Sequence, residues 1–235
     1  MIVFPDWDRP ANVHIAVTDR LGGVSDAPFG AFNLATHVGD SEVSVLDNRR
    51  KLIQCLGLEN PPFWLDQVHG AEVSRIAHKS QRGRKVDGVY TQSTALPLAI
   101  MTADCMPILV CDREGTQIAA AHAGWRGLAA GIIENIVSQF TTRDLLVFLA
   151  PTIDVCHYEV SDAVRKQFNC VASFSPSNMR GRWMFDLYHE ASQQFESHGV
   201  SKITMQRRCT YCDELLYSYR RDVQTGRFAS LIWMD

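Results

Sequence analysis

Apolar residues along the chain recur with two different periods, and the switches between them mark out its elements. Val13–Thr18 reads as a strand that ends in a turn at Gly22-Gly23. Val45, Leu46, Arg49, Leu52, Ile53 and Leu56 then follow the 3.6-residue period of a helix. Ser41 stands where an N-cap belongs, and Gly57 where a C-terminal glycine belongs. Phe63–Val68 and Ala71–Ala77 read as short strands broken at His69-Gly70. Three apolar strands follow, Leu96–Thr102, Pro107–Cys111 and Gln117–Ala121, with a turn at Arg113–Gly115 between the last two. A second helical stripe comprises Leu128, Ile132, Ile133, Ile136, Val137 and Phe140. Asp144–Leu149 predicts a strand, Ser161–Phe168 and Asp186–His198 predict helices, and Ser201–Gln206 and Phe228–Trp233 predict the closing strands. Neighbouring strands with no crossover helix between them disfavour a doubly wound sheet, so the order predicts an α+β fold with mixed sheet.

Composition narrows the class. The 235 residues are 46% hydrophobic and 21% charged, the balance of a globular chain, and no linker or repeat divides residues 1–235. A single domain of that length buries roughly 70–75% of its unfolded surface, which excludes a disordered chain or a disulfide-stapled scaffold. A net charge of −3 leaves no basic footprint for nucleic acid. The most apolar stretch, Ala95–Val110, carries Asp104 in its middle, so no membrane span is expected. The N-terminus lacks the basic-then-apolar layout of a secretion signal, and seven scattered cysteines suit reduced thiols, together predicting a cytoplasmic protein.

The apolar middle of the chain holds the densest chemistry. Asp104 and Cys105 separate two strands that otherwise read as core; His122 ends a third strand, and His69 an earlier one. Two histidines and a cysteine form the three-ligand pattern that leaves a fourth zinc position for water or substrate. Cys105 as a nucleophile with His122 or His69 as its base fits the same residues, as does a buried thiol beside two hydrogen-bonded histidines. Spacing alone leaves all three open. Cys209-Thr-Tyr-Cys212 has no second pair for a zinc cage and no thioredoxin-like start before it, so no role is read there. Ser218–Arg221 and Thr225–Arg227 concentrate donors that make either a solvated face or an anion-binding corner. The glycines match neither a dinucleotide nor a Walker pattern.

Several motifs together carry a resemblance. Thr18-Asp-Arg-Leu-Gly-Gly-Val-Ser25, Phe32-Asn-Leu34, Gln67-Val-His-Gly70, Thr102-Ala-Asp-Cys105, His122-Ala-Gly-Trp-Arg-Gly127, Cys209-Thr210 and Ser218-Tyr-Arg-Arg221 resemble the YfiH-type family. It is also called the laccase-domain or multicopper polyphenol oxidase family, and members have been reassigned as purine nucleoside phosphorylases. The resemblance spans residues 13–233 and implies one α+β domain, with β-sheets packed face to face and helices on the outer faces. It implies a single Zn²⁺ on His69, Cys105 and His122, with copper entering only on artificial loading. Its implied reaction is phosphorolysis of adenosine, inosine or guanosine, with adenosine deamination and methylthioadenosine phosphorolysis besides. Arg20, Asn33, Arg49 and Arg126, donor-rich motif positions, are expected around the metal, holding phosphate or ribose. Members are also implicated in removing mis-built peptidoglycan precursors, which would make the chain a hydrolase. Copper oxidase chemistry fits less well, because the chain's eight histidines include no His-x-His. Where the family reads Gly-Pro-x-Ile-Gly-Pro, this chain has Ala150-Pro-Thr-Ile-Asp-Val155, which leaves that loop's shape open.

Overall fold

Two sheets pack face to face and carry helices on their outer faces, as expected, and a third small sheet adjoins them. The structure is a computed structural model that describes residues 2–78, 80–81 and 85–235. The first sheet contains β1 (Ile2–Val3), β2 (Val13–Thr18), β3 (Phe63–Trp64), β6 (Leu98–Thr102) and β14 (Phe228–Met234), in the order β1-β2-β14-β6-β3. In the second, β4 (Val73–Arg75), β5 (Gly88–Thr91), β7 (Met106–Asp112), β8 (Ile118–Ala123), β9 (Leu145–Leu149) and β13 (Lys202–Met205) run β13-β9-β7-β8-β5-β4. The third joins β10 (Glu159–Ser161), β11 (Phe174–Pro176) and β12 (Arg182–Phe185). Pairing is antiparallel except at β3/β6, β4/β5 and β9/β13.

The period-2 geometry of strands explains the layering. Val13, Ile15, Leu98, Ile100, Phe228 and Ile232 meet Leu109, Cys111, Ile118, Ala120, Leu146 and Phe148 between the two large sheets. Ile108, Val110, Ala119, Ala121, Val147 and Leu149 point the other way, onto α2 (Trp125–Ala129), α3 (Ile132–Val137) and α5 (Leu187–Ser197). Across the molecule, Ala99, Met101, Ala229 and Leu231 are covered by Phe32, Leu34 and Leu52, the last from α1 (Glu42–Leu56). Strands covered on both faces read as unbroken apolar runs, which is why the middle of the chain shows little alternation. Burial pushes the Cys111 thiol, set between the sheets, up to about 12, an inert core group.

Some elements differ from the pattern's expectation. The stripe from Leu128 to Phe140 forms α2 and α3, because Gly131 between them takes a left-handed φ of 87° that ends one helix and starts the next. The helix expected at Ser161–Phe168 is the single turn α4 (Asp162–Arg165), and α6 (Tyr219–Asp222) is another single turn, too short to show a period. Strands β5, β10, β11 and β12 have three or four residues each, below the length at which alternation declares itself. No disulfide joins any of the seven cysteines, and no described helix is long and apolar enough to cross a membrane.

Helix α1 offers a clean test of its end. The Ser41 hydroxyl accepts from the Ser44 N–H, and Gly57 adopts a left-handed φ of 63° with its N–H turned back on the helix carbonyls. A Cβ at position 57 would meet nothing within 4 Å, so Gly57→Ala suffers only the backbone strain. Its expected cost is about 1 kcal/mol, read as a lower urea midpoint with unchanged slope.

Candidate metal centre and substrate pocket

The strand register brings three distant ligands to one end of the stacked sheets. Antiparallel pairing of β7 with β8 sets Pro107 opposite His122, so Cys105, in the turn before β7, lies beside that histidine. The turn itself bends through Asp104, whose φ is 97°. His69 arrives from the loop between β3 and β4, also with a positive φ, 62°. The Cys105 sulfur and one ring nitrogen from each histidine lie within 4.8 Å of one another, and the two rings meet edge to face at 4.8 Å. A Cβ at Gly124 would sit 2.8 Å from the Cys105 sulfur, so the glycine after Ala123 leaves room for the thiol.

Asp87 organises this cluster, and no sequence motif announces it. Pairing of β5 with β8 sets Gly88 opposite Ala121, which brings Asp87 alongside His122. The Asp87 carbonyl accepts from the His122 N–H at 2.7 Å, and its Oδ1 lies 2.8 Å from His122 Nδ1. Its carboxylate also accepts the backbone N–H groups of Val68, His69 and Gly70, fixing the loop that carries the other histidine. Burial opposes its charge, but the His122 and backbone hydrogen bonds outweigh that and hold its carboxyl below the usual range. With Nδ1 committed to Asp87, Nε2 is the His122 nitrogen left for the cluster.

The electrostatics fit a soft cation. Burial disfavours the Cys105 thiolate, yet His122 and His69 bring it down to about 6. Burial likewise opposes a charged His122, which the Cys105 thiolate and Asp87 push up to about 9. A ready thiolate, two imidazoles and a carboxylate behind one of them form a donor set suited to zinc, with three protein ligands and an open position. The same pair, without metal, is a thiolate–imidazolium couple of the kind a cysteine nucleophile uses.

A cavity of about 480 Å³ opens over the trio. Its walls include His37, Gln67, Tyr158, Tyr219, Arg220 and Arg227. Of the C-terminal donors, Arg220 and Arg227 line the pocket while also bonding the carbonyls of His157, Glu159, Thr225 and Gly226, whereas Arg221 lies outside it, tied to the carbonyls of Thr210, Tyr211 and Leu216. Pairing of Phe228 with Thr102 places Arg227 near the Cys105 turn. Burial holds the Arg227 guanidinium below its ordinary value, and Cys105 and Asp104 act in the opposite direction.

The four donors expected around the metal fall differently. None of Arg20, Asn33, Arg49 or Arg126 lines this cavity. Arg20 donates to the Gly30 carbonyl and lies over Tyr217, and Arg126 is exposed on α2 over Trp125. Arg49 bonds the Leu34 carbonyl, lies over Trp64 and lines a separate cavity of about 540 Å³ between α1 and β3. Asn33 is fully buried, and its side-chain oxygen accepts the Arg227 N–H at 2.9 Å, so it acts on the pocket through that arginine.

Asp104 is bound up in structure. Its carboxylate accepts from the Thr210 hydroxyl and the Arg220 N–H, each at 2.6 Å. Its carbonyl accepts from the Thr152 hydroxyl and the Ile153 N–H. The loop that departs from the family pattern therefore still braces the Cys105 turn.

Comparisons with known proteins identify the family and the fold. Residues 14–235 match the family model described as multi-copper polyphenol oxidoreductase laccase. A curated purine nucleoside phosphorylase of Pseudomonas aeruginosa is 44% identical, over 98% of this chain and 97% of its own. Purine nucleoside phosphorylase YfiH of Escherichia coli is 39% identical, over 99% and 98%. Among solved structures, a Neisseria meningitidis protein superposes with a TM-score of 0.93 at 36% identity, covering 100% of this chain and 99% of its own. YlmD from Geobacillus stearothermophilus superposes with a TM-score of 0.89 at 32% identity, covering 100% and 99%.

Proposed function

The chain belongs to the family described as multi-copper polyphenol oxidoreductase laccase, and from that premise we propose that it is a zinc-dependent purine nucleoside phosphorylase. One observation carries the reading: His69, Cys105 and His122, grouped closely enough to hold a metal ion, line a cavity whose wall also includes Arg220 and Arg227. A cation site beside two guanidinium groups suits a phosphate that must be held against a sugar. Relatives named purine nucleoside phosphorylase, similar over nearly the whole chain, point the same way.

His69, Cys105 and His122 would hold the ion, which when bound supplies a Lewis acid with an open position. Asp87 keeps His122 oriented, and Arg227 and Arg220 bind and orient phosphate. A phosphate oxygen then bonds to the ribose C1′ as the bond from C1′ to the base breaks, and the base leaves with the electron pair. Tyr158, whose phenol burial pushes well up, stays protonated as a hydrogen-bond donor at the pocket wall. Adenosine deamination and methylthioadenosine phosphorolysis are further activities that we assign to the same pocket; in deamination a water oxygen bonds to C6 of the adenine ring, and the C6–N bond breaks to release ammonia and leave inosine. Copper oxidation is not proposed: the histidines contain no His-x-His, and the described residues hold no cluster with more than two histidines.

The test is to incubate adenosine with metal-assayed protein, with and without phosphate, and to identify products by mass. Phosphate-dependent adenine supports phosphorolysis, and phosphate-independent inosine supports deamination. Unchanged adenosine with a full complement of metal overturns the reading in favour of a hydrolase of cell-wall precursors. Arg227→Met should raise the KM for phosphate about tenfold or more, the cost of losing a half-buried charged contact. An unchanged phosphate KM would remove Arg227 from the binding site.

A further inference from the structure

A second group of soft ligands lies outside the pocket. Cys156 and His157, from the loop after β9, meet Cys209 and Cys212, from the loop after β13, with their ligand atoms within 4.8 Å of one another. We propose that Cys156, His157, Cys209 and Cys212 bind a second zinc ion as a closed structural site. All four positions come from the protein, the hallmark of a structural rather than a catalytic ion. The spacings suit tetrahedral coordination. With Zn–S bonds of ~2.3 Å, two sulfurs are separated by about 3.8 Å, and those of Cys156 and Cys212 lie 3.8 Å apart. His157 Nδ1 is 3.2 Å from each of those two sulfurs, within a few tenths of an ångström of the ~3.5 Å that the same geometry implies.

Surrounding contacts favour a thiolate cage. The Asp154 N–H reaches the Cys209 sulfur at 3.4 Å. Such a donor stabilises a sulfur that carries negative charge, as a zinc-bound thiolate does. The His157 ring is stacked on Tyr211 at 4.1 Å and an interplanar angle of 15°, which fixes the ligand's orientation. A Cys156–Cys212 disulfide would use two of the four ligands and leave Cys209 and His157 unexplained. The sequence search for a second C-x-x-C pair missed this site, because the partner of Cys209-Thr-Tyr-Cys212 is the adjacent pair Cys156-His157.

Its position gives the second ion work to do. The His157 and Glu159 carbonyls accept from the Arg220 guanidinium at 3.2 Å each. Thr210, beside Cys209, bonds Asp104 in the turn that carries Cys105. Emptying the cage therefore loosens Arg220 and the Cys105 turn without removing a pocket ligand. The experiment is metal counting by plasma mass spectrometry on protein purified under reducing conditions. We expect two zinc ions per wild-type chain, one in Cys212→Ser, one in His122→Ala and none in the double variant. Cobalt loaded into His122→Ala should show a tetrahedral spectrum with strong thiolate-to-metal charge transfer, a readout that holds even if Cys212→Ser fails to fold. Cys212→Ser, where folded, should also show a raised KM for phosphate.

One zinc in the wild type, lost in His122→Ala and kept in Cys212→Ser, overturns the proposal. So does a Cys156–Cys212 disulfide found by non-reducing mass analysis of metal-replete protein, or a cobalt-loaded His122→Ala without thiolate charge transfer. One zinc that Cys212→Ser removes and His122→Ala keeps upholds the second site and instead sinks the metal assignment in the pocket.

Discussion

His69→Asn is expected to lower kcat/KM for nucleoside phosphorolysis by about a thousandfold or more, the rate equivalent of the several kcal/mol a catalytic metal supplies. Asparagine suits the position because residue 69 has a left-handed backbone, which Asn tolerates better than most side chains. Its amide is shorter than an imidazole and does not reach where the ring nitrogen lies. His69 is exposed, so the melting temperature measured in excess chelator should shift little. Loss of rate with an intact fold then reports on the metal rather than on folding. Chelation separates the two readings of Cys105. Matched to Cys212→Ser as the control for an emptied cage, a metal enzyme loses its remaining activity to a chelator and regains it with zinc, whereas a cysteine nucleophile keeps that activity in chelator and fails on alkylation. Activity retained in His69→Asn, or in metal-stripped protein, would move the assignment to the nucleophile.

How far the site could be read beforehand depends on what holds each part. His69, Cys105 and His122 stand at strand ends beside glycine or a small-residue turn, a local signal that survives in one dimension. Asp87 leaves no such trace, because its importance arises from the cross-strand register that sets it against His122. Arg220 and Arg227 were visible as donors, but only tertiary contacts separate a pocket wall from a solvated face: the pairing of β14 with β6 beside Arg227, and the bonds of Arg220 to Asp104, His157 and Glu159. The motif donors Arg20, Asn33 and Arg49 illustrate the reverse: their side chains bond backbone carbonyls and neighbouring loops and lie outside the lining of this pocket. The layers were legible because the long buried strands read as unbroken apolar runs and the long amphipathic helix α1 carries its period openly. The three-stranded sheet was not, since each of its strands is too short for alternation to show.

Asp87→Ala should destabilise the metal-free protein by about 3–5 kcal/mol, because one buried carboxylate serves four donors at once. Its Oδ1 takes the His69 N–H and faces His122 Nδ1, and its Oδ2 takes the N–H groups of Val68 and Gly70. The residue is fully buried, so water is poorly placed to replace those bonds. Asp87→Asn should fall between the two. Its single amide oxygen can serve one pair of donors, while its NH₂ confronts the other pair with a donor of its own. Metal affinity should drop about 10–100-fold in Asp87→Asn, because the amide no longer raises the basicity of His122 or fixes its ring. The two effects must be measured apart, since a bound ion adds its own stabilisation by mass action. Urea unfolding in excess chelator gives the first, and competition with a zinc-sensitive dye gives the second. If Asp87→Asn loses affinity but little stability, the carboxylate serves mainly to tune the ligand. If both Asp87→Ala and Asp87→Asn unfold as readily as wild type does at higher urea, with affinity unchanged, Asp87 braces the 68–70 loop and leaves His122 to orient itself.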